Sequence, residues 1–142
     1  MKKLHIVGLG LLGGSFALAA KNKFPEIIVT GTDVNEKNLQ DALSLGIIDE
    51  AKDAADADTD IVILATPADT LGDLLLETLD HIGENTLVFD VGSTKAKLCN
   101  LVKDHPKRKQ YLASHPIAGT EYSGPKAAFA GLLDRKVTII CD

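Results

Sequence analysis

The sequence predicts an α/β fold in which a mostly parallel, doubly wound sheet carries helices on both faces. Short apolar runs alternate along the chain with stretches whose apolar residues recur every three or four positions, which are the patterns of strands and amphipathic helices. The run over residues 61–65 is continuously apolar, as expected of a parallel strand buried on both faces. Strands that alternate with helices are joined by right-handed crossovers, so the pattern indicates a parallel sheet rather than hairpins.

The first strand, around residues 4–7, runs into a glycine-rich turn with dinucleotide-binding spacing. Gly8 permits a tight turn, Gly10 lets the backbone approach a phosphate, and Gly13 lets the following helix pack closely on the strand. Unpaired N–H groups and the partial positive charge at this helix N-terminus would hold a pyrophosphate. We therefore expect these glycines, with Leu11 and Leu12 between them, to bind a dinucleotide.

The second strand is predicted over residues 27–32 and ends at Asp33, twenty residues beyond Gly13. An acidic residue at this distance accepts a hydrogen bond from the ribose 2′-hydroxyl and repels a 2′-phosphate. The next two residues, Val34 and Asn35, supply no arginine for such a phosphate. The prediction is a site for NAD rather than NADP. The alternative is that Asp33 only caps a helix.

The predicted helices and strands from the glycine turn to residue 60 are short. The first helix ends near Asn22, and Asn35 caps the second helix. Residues 47–48 predict a short strand. Residues 49–60 contain six acidic residues, and because their spacing fits no EF-hand loop we predict a solvated turn or short helix rather than a metal site.

The second half of the chain repeats the same order of strand, loop and helix. The predicted elements are a helix over 69–82, a strand over 86–89, a helix near 98–102, a basic solvated loop over 103–109, a strand over 111–114, a looping stretch to about 134 and a strand over 136–141. Together with the glycine turn they indicate a Rossmann-type fold, in which ligands bind at the carboxyl ends of the strands. Thr66 and Pro67 follow such a strand end, and we expect them to border the cofactor.

The composition is that of a single globular domain. The 142 residues are 45% hydrophobic, which is enough to bury a core, and the net charge of −5 argues against nucleic-acid or anionic membrane partners. Cys99 and Cys141 lie far apart and form no C-x-x-C pair, so neither a disulfide framework nor a metal site is expected. No apolar run approaches the ~20 residues of a transmembrane helix, so we expect a cytoplasmic protein.

Among the four histidines, His115 is the candidate base. An enzyme that passes hydride from an alcohol to a nicotinamide needs a group to take the hydroxyl proton, and imidazole suits neutral pH. His115 follows a predicted strand end, whereas His5 lies inside the first strand and His81 and His105 occupy helix or loop positions. Ser93, at the preceding strand end, can contact the same hydroxyl, orient the imidazole or cap the next helix.

Three segments resemble those of the prephenate dehydrogenase family, and the resemblance covers nearly the whole chain. They are GLGLLGGS at 8–15, DVGSTK at 90–95 and HPIAGTEYSGP at 115–125. The resemblance implies NAD-dependent oxidative decarboxylation of prephenate to 4-hydroxyphenylpyruvate in tyrosine biosynthesis, without a metal. By motif position, His115 would accept the proton of the ring hydroxyl, Ser93 would contact that hydroxyl and the nicotinamide, and Thr120 would line the substrate pocket.

The resemblance also implies a second domain. Members of the family carry, after the nucleotide domain, a helical domain that dimerises and contributes an arginine to the substrate's ring carboxylate. Residues 1–142 correspond to the dinucleotide-binding domain alone, so we expect a fragment or truncated form that binds NAD but turns prephenate over weakly or not at all. A homodimer is expected only with the helical domain. The cations near the strand ends, Lys95, Lys97 and Lys126, lack the fork of an arginine.

Two other interpretations of the sequence stay open. An arogenate dehydrogenase would carry every one of these motifs unchanged, and another small hydroxy-acid dehydrogenase of the same fold is a further alternative. A non-catalytic NAD-binding module would also fit the chain.

Overall fold

The computed structural model describes residues 1–141. Its strands are β1 (Lys3–Val7), β2 (Ile28–Thr32), β3 (Glu50–Ala51), β4 (Ile61–Leu64), β5 (Leu87–Asp90), β6 (Tyr111–Pro116) and β7 (Thr138–Cys141). Its helices are α1 (Leu11–Lys23), α2 (Glu36–Ser44), α3 (Leu71–His81) and α4 (Ala96–Val102), with short 3₁₀ segments at 108–110, 125–127 and 130–133. In this described range, no helix has the length and apolar character needed to cross a membrane.

All seven strands form one sheet in the order β3-β2-β1-β4-β5-β6-β7. Neighbouring strands are parallel except for β6 and β7, which pair antiparallel at one edge. The chain winds from β1 to one edge and then from β4 to the other, so the topological switch point lies between these two strands. This is the doubly wound Rossmann-type arrangement, and the predicted fold class is confirmed.

Helices cover both faces of the sheet and create two apolar layers. One layer joins α1 and α2 to Ile6 of β1 and Ile63 of β4. The other joins α3 and α4 to Val62 and Leu64 of β4. Because successive side chains of a strand point to opposite faces, the continuous apolar run in β4 supplies both layers at once.

The short strand predicted at residues 47–48 is wrong. The backbone N–H groups of Ile47 and Ile48 point to the carbonyl of Ala42, at 2.9 and 3.4 Å, and so complete the C-terminal turn of α2. Gly46, with φ of +68°, provides the left-handed step that this helix end requires. Both isoleucines are buried as core side chains, and pairing with β2 begins only beyond them.

The acidic segment over residues 49–60 crosses from the sheet edge to β4 without a helix. Its carboxylates are held close to the surface by lysines, with Lys3 2.6 Å from Asp58 and Lys52 2.6 Å from Asp56. Asp60 accepts the backbone N–H groups of Lys2 and Lys3, and these hydrogen bonds lower the pKa of its carboxyl below the usual value. The prediction of a solvated turn or short helix is thus correct only in part, because residues 50–51 form β3 and most of the carboxylates are bound by lysines or backbone N–H groups.

The basic loop over residues 103–109 is not simply solvated, contrary to the prediction. Lys107 Nζ donates to the carbonyl of Ile82 at 2.6 Å, just after α3. Arg108 donates to the carbonyl of Tyr111 at 3.0 Å, and its guanidinium lies 5.6 Å from the centre of that ring. Lys107 thus places a positive charge at the C-terminal end of α3, where the macrodipole favours cations, and Arg108 satisfies a carbonyl at the start of β6.

Candidate functional site

The three glycines of the turn after β1 have different surroundings. Gly8 has φ of +95°, and a Cβ there would lie 2.7 Å from the carbonyl oxygen of Ala65. A Cβ on Gly13 would lie 2.0 Å from the carbonyl oxygen of Gly8. Gly10 is different, because its φ of −77° suits any residue and a Cβ would have no neighbour within 4 Å. The fold itself requires Gly8 and Gly13, whereas the open space at Gly10 fits a bound group.

The N-terminus of α1 is left without a protein cap. Gly10 occupies the cap position and has no side chain, and the first turn contains no acidic residue. The first N–H groups of any α-helix lack an intrahelical acceptor. The side chains of Leu11 and Leu12 are half-buried, and that of Leu12 packs against the core. An anion at this helix end would therefore be bound by their backbone N–H groups.

Asp33 follows β2 and faces the glycine turn. Its Oδ2 accepts the backbone N–H of Leu9 at 2.8 Å, and its Oδ1 accepts that of Asn35 at 2.8 Å. Asn38 of α2 contacts Oδ2 at 3.4 Å. The cap of α2 is Asn35, whose side chain accepts the N–H of Lys37 at 3.0 Å. The helix-capping alternative for Asp33 is therefore wrong.

One pocket of about 580 Å³ joins these elements at the topological switch point. Five of the predicted cofactor residues line it, namely Gly8, Gly10, Asp33, Thr66 and Pro67. The Thr70 hydroxyl lies 3.0 Å from Thr66 Oγ1 and 2.9 Å from the Pro67 carbonyl, which fixes the loop after β4. Leu11, Leu12, Gly13 and Ser93 do not line this pocket.

Ser93 is exposed, in the segment between β5 and α4. It does not cap that helix, because the cap position is Lys95 and no side chain makes a capping hydrogen bond there. The capping alternative for Ser93 is wrong, and its hydroxyl is left without a partner among the residues that the structure describes.

A buried carboxylate holds the Ser93 segment in place. Asp90 is fully buried at the end of β5 and accepts hydrogen bonds from the Tyr111 hydroxyl at 2.8 Å and the Gly92 N–H at 3.0 Å. Asp90 also pairs with Lys95, whose side chain is 8% exposed. Lys95 is therefore not a free cation that could bind the substrate. Burial, followed by the contact with Asp90, raises the pKa of the Tyr111 phenol above its usual value, and the phenol therefore keeps its proton and donates.

Asp90 begins the DVGSTK segment, but no role was predicted for it from the sequence. The position of Asp90 could have indicated a role, since a carboxylate that ends a strand at the centre of a sheet is buried and requires a hydrogen-bond donor or a cation. The sequence could not say which donor, because Tyr111 reaches Asp90 across the β5–β6 pair.

His115 lies within β6 rather than after it, which corrects the predicted strand end. The antiparallel strand β7 extends the pairing, with His115 opposite Ile139. The half-buried imidazole has its Nδ1 buried with no hydrogen-bond partner in the described part of the chain. Asp90 of β5 pairs with Ala113 of β6, so Ser93, which follows β5, and His115, near the end of β6, lie at the same edge of the sheet.

The other predicted substrate residue, Thr120, is exposed in the loop after β6. Its hydroxyl accepts the N–H of Tyr122 at 3.2 Å, and it does not line the 580 Å³ pocket. The three remaining histidines lie apart from the edge that carries His115: His5 is buried in β1, His81 contacts the Glu77 carbonyl and His105 contacts Asp80.

The stretch after this loop returns to α1, a contact that the sequence analysis missed. Ser15 Oγ accepts the N–H of Phe129 at 3.1 Å. A Cβ on Gly14 would lie 2.7 Å from that of Ala128, so only glycine allows this approach. The loop that follows His115 is thus fastened to the helix that begins at the glycine turn.

Comparison with known proteins agrees with this fold. Residues 16–142 match the family described as prephenate dehydrogenase, nucleotide-binding domain. The chain is 38% identical over 142 residues to prephenate dehydrogenase of Bacillus subtilis (strain 168), covering 95% of this chain and 38% of that protein. It is 32% identical over 143 residues to cyclohexadienyl dehydrogenase of Zymomonas mobilis, covering 98% and 48%. The chain therefore spans less than half the length of these relatives.

A solved structure shows the same fold. The crystal structure of prephenate dehydrogenase from Aquifex aeolicus, in complex with hydroxyphenyl propionate and NAD+, superposes with a TM-score of 0.89 at 33% identity and covers 100% of this chain and 51% of that one. Since the family match extends over most of its length, this chain belongs to the family of prephenate dehydrogenase nucleotide-binding domains.

Proposed function

We propose that this chain is the cofactor-binding part of an NAD-dependent prephenate dehydrogenase, which acts in the cytoplasm and converts prephenate to 4-hydroxyphenylpyruvate. The observation that carries the proposal is the pocket at the switch point, which is lined both by Gly10, with its open space, and by Asp33. The relative from A. aeolicus, which was solved with NAD+, supports the choice of cofactor.

The residues in and beside the pocket suit the diphosphate and the ribose of the adenosine diphosphate portion. The uncapped N–H groups at Leu11 and Leu12 would hold the pyrophosphate, with Gly10 leaving room for it. Asp33 would accept the ribose hydroxyls and exclude a 2′-phosphate by charge repulsion. Thr66 and Pro67 would border the dinucleotide on the β4 side.

The chemistry needs a base and an oriented hydroxyl. Bound NAD supplies the hydride acceptor. His115 would take the proton of the ring hydroxyl at Nε2, because its Nδ1 is buried. Ser93, which has no capping role, would hold the same hydroxyl beside the cofactor, and Thr120 would line the substrate pocket. Loss of carbon dioxide makes the ring aromatic, so the protein's contribution is orientation and proton removal.

These residues alone provide little positive charge to bind the dianionic substrate. Lys95 is committed to Asp90, and Lys126 lies 3.4 Å from Asp41. We therefore propose that the substrate carboxylate is held by an arginine of a helical second domain, which would also form the homodimer. On this proposal the 142 residues bind NAD but turn prephenate over weakly or not at all.

The test combines binding with turnover. We expect NADH to bind the chain, as measured by nicotinamide fluorescence, and NADPH to bind at least tenfold more weakly. With prephenate and NAD, absorbance of NADH should rise only when the helical domain of a family member is added, and His115→Asn should then slow turnover by 10²-fold or more. Absence of NADH binding contradicts the proposal. Equal or faster turnover with arogenate favours the alternative substrate.

A further inference from the structure

One acidic residue of the segment over 49–60 stands apart from the others. Five of the six carboxylates contact a lysine or backbone N–H groups; they are Asp49, Glu50, Asp56, Asp58 and Asp60. Asp53 has no hydrogen bond and no ion pair with any residue from 1 to 141. It is also the member of this group that lines the pocket with Gly10 and Asp33.

Asp53 lies where two cavities meet. The 580 Å³ pocket and an adjoining cavity of about 160 Å³ share Asp53 with Val7, Thr32 and Leu74. The position follows from the fold, because Asp53 comes two residues after β3, beside β2. The segment then crosses the sheet without a helix, which leaves this cavity between it and α3.

The groups that line the pocket indicate which part of a dinucleotide reaches Asp53. The space at Gly10 marks the pyrophosphate, and Asp33 marks the ribose next to it. The base on that ribose would lie beyond Asp33, between apolar side chains. Val34 there is fully exposed, and Leu74 lines the same pocket, so both offer surface to a flat ring.

We propose that Asp53 accepts a hydrogen bond from the exocyclic amine of the adenine ring and thereby selects adenine over bases with a carbonyl at that position. Among the described residues, Asp33 and Asp53 are the charged side chains that line the pocket. A carboxylate only accepts hydrogen bonds, the adenine amine donates, and a carbonyl oxygen in its place is repelled. This inference rests on the proposed NAD site.

The experiment compares two nucleotides and matched variants of the chain. Dissociation constants for NADH and for reduced nicotinamide hypoxanthine dinucleotide are measured by nicotinamide fluorescence. We expect Asp53→Ala to weaken NADH binding roughly fivefold and to leave the hypoxanthine compound unchanged or tighter. The ratio of the dissociation constant of the hypoxanthine compound to that of NADH should therefore fall at least fivefold. The control is Asp58→Ala, which removes the same charge from the same segment outside the pocket and should change the ratio less than twofold.

Each outcome decides between the two proposals. A ratio unchanged in Asp53→Ala, with NADH still bound, overturns the role of Asp53 and leaves the NAD site intact. Absence of NADH binding to the unaltered chain overturns the NAD site and the role of Asp53 with it. Asp53→Asn, which keeps the size of the side chain and can donate to a carbonyl, should lower the ratio as well and provides a second measurement if the alanine variant is unstable.

Discussion

The backbone N–H of Leu9 donates to Asp33 Oδ2 at 2.8 Å, which ties the glycine turn after β1 to the carboxyl end of β2. The group proposed to recognise the ribose is thus also a structural support of the turn proposed to hold the pyrophosphate. Affinity and specificity for the nucleotide are therefore expected to change together when Asp33 is altered.

Asp33→Ala tests this link. The variant loses the acceptor for Leu9 and the charge that repels a 2′-phosphate, so we expect NADH to bind about tenfold more weakly and the preference over NADPH to fall at least tenfold. Fluorescence titration with both nucleotides measures the two effects. Asp104→Ala removes an equal charge from a side chain that is 89% exposed, and it should alter neither value. A preference that survives in Asp33→Ala would refute the role of Asp33.

The second prediction compares Gly10 and Gly13, because a Cβ would lie in open space at Gly10 and against the backbone at Gly13. Gly10→Ala adds a methyl group in open space, so the free energy of unfolding should change by no more than about 1 kcal/mol while NADH affinity falls more than tenfold. Gly13→Ala places a methyl group 2.0 Å from the Gly8 carbonyl oxygen and should destabilise the fold by about 3 kcal/mol. Urea unfolding measures stability. Tight NADH binding by Gly10→Ala would contradict the assignment.

The local motifs were predictable from the sequence because each depends on neighbouring residues. The glycine turn and the cap at Asn35 are identified by spacing over a few positions, and Asp33 by its place twenty residues beyond Gly13. The structure has the predicted strands and helices at these places. The continuous apolar run of β4 likewise predicted a strand between two helical layers.

Two features that were not predicted from the sequence depend on contacts between distant residues. Tyr111 meets Asp90 only through the β5–β6 register, and His115 joins β6 only because β7 pairs with it in the antiparallel sense. No local pattern carries the register of two strands, so such contacts require the structure. Ile47 and Ile48 are a local error of prediction: their composition is typical of a strand, yet their N–H groups bond to Ala42 and close a helix.

Stability should depend on pH through His5. This residue is 1% exposed, its Nδ1 lies 2.8 Å from the Thr30 hydroxyl, and burial lowers its pKa from 6.5 to about 4. The unfolded chain takes up the proton at higher pH than the folded chain, so the stabilisation is complete above pH 6.5 and is lost as the pH falls toward 4. The loss amounts to about 3 kcal/mol.

The measurement for His5 is urea unfolding at pH 7 and pH 4.5. His5→Gln cannot titrate and should lose about 2–3 kcal/mol less over this interval than the unaltered chain. His81→Gln, at an exposed histidine, serves as the control and should follow the unaltered chain. Equal losses in all three proteins would show that His5 does not control the acid sensitivity.

The last prediction concerns the buried group formed by Asp90, Tyr111 and Lys95. Asp90→Ala leaves the Lys95 ammonium nearly buried without its counter-charge, so we expect a loss of about 3–5 kcal/mol in the free energy of unfolding. Tyr111→Phe removes one donor and keeps the ring, and should cost only about 1–2 kcal/mol. The double variant Asp90→Leu with Lys95→Met removes both charges and should recover much of the stability, because a buried pair is replaced by apolar groups of similar size. Urea unfolding of the three variants tests this, and a double variant no more stable than Asp90→Ala would mean that the pair does not act through burial of charge.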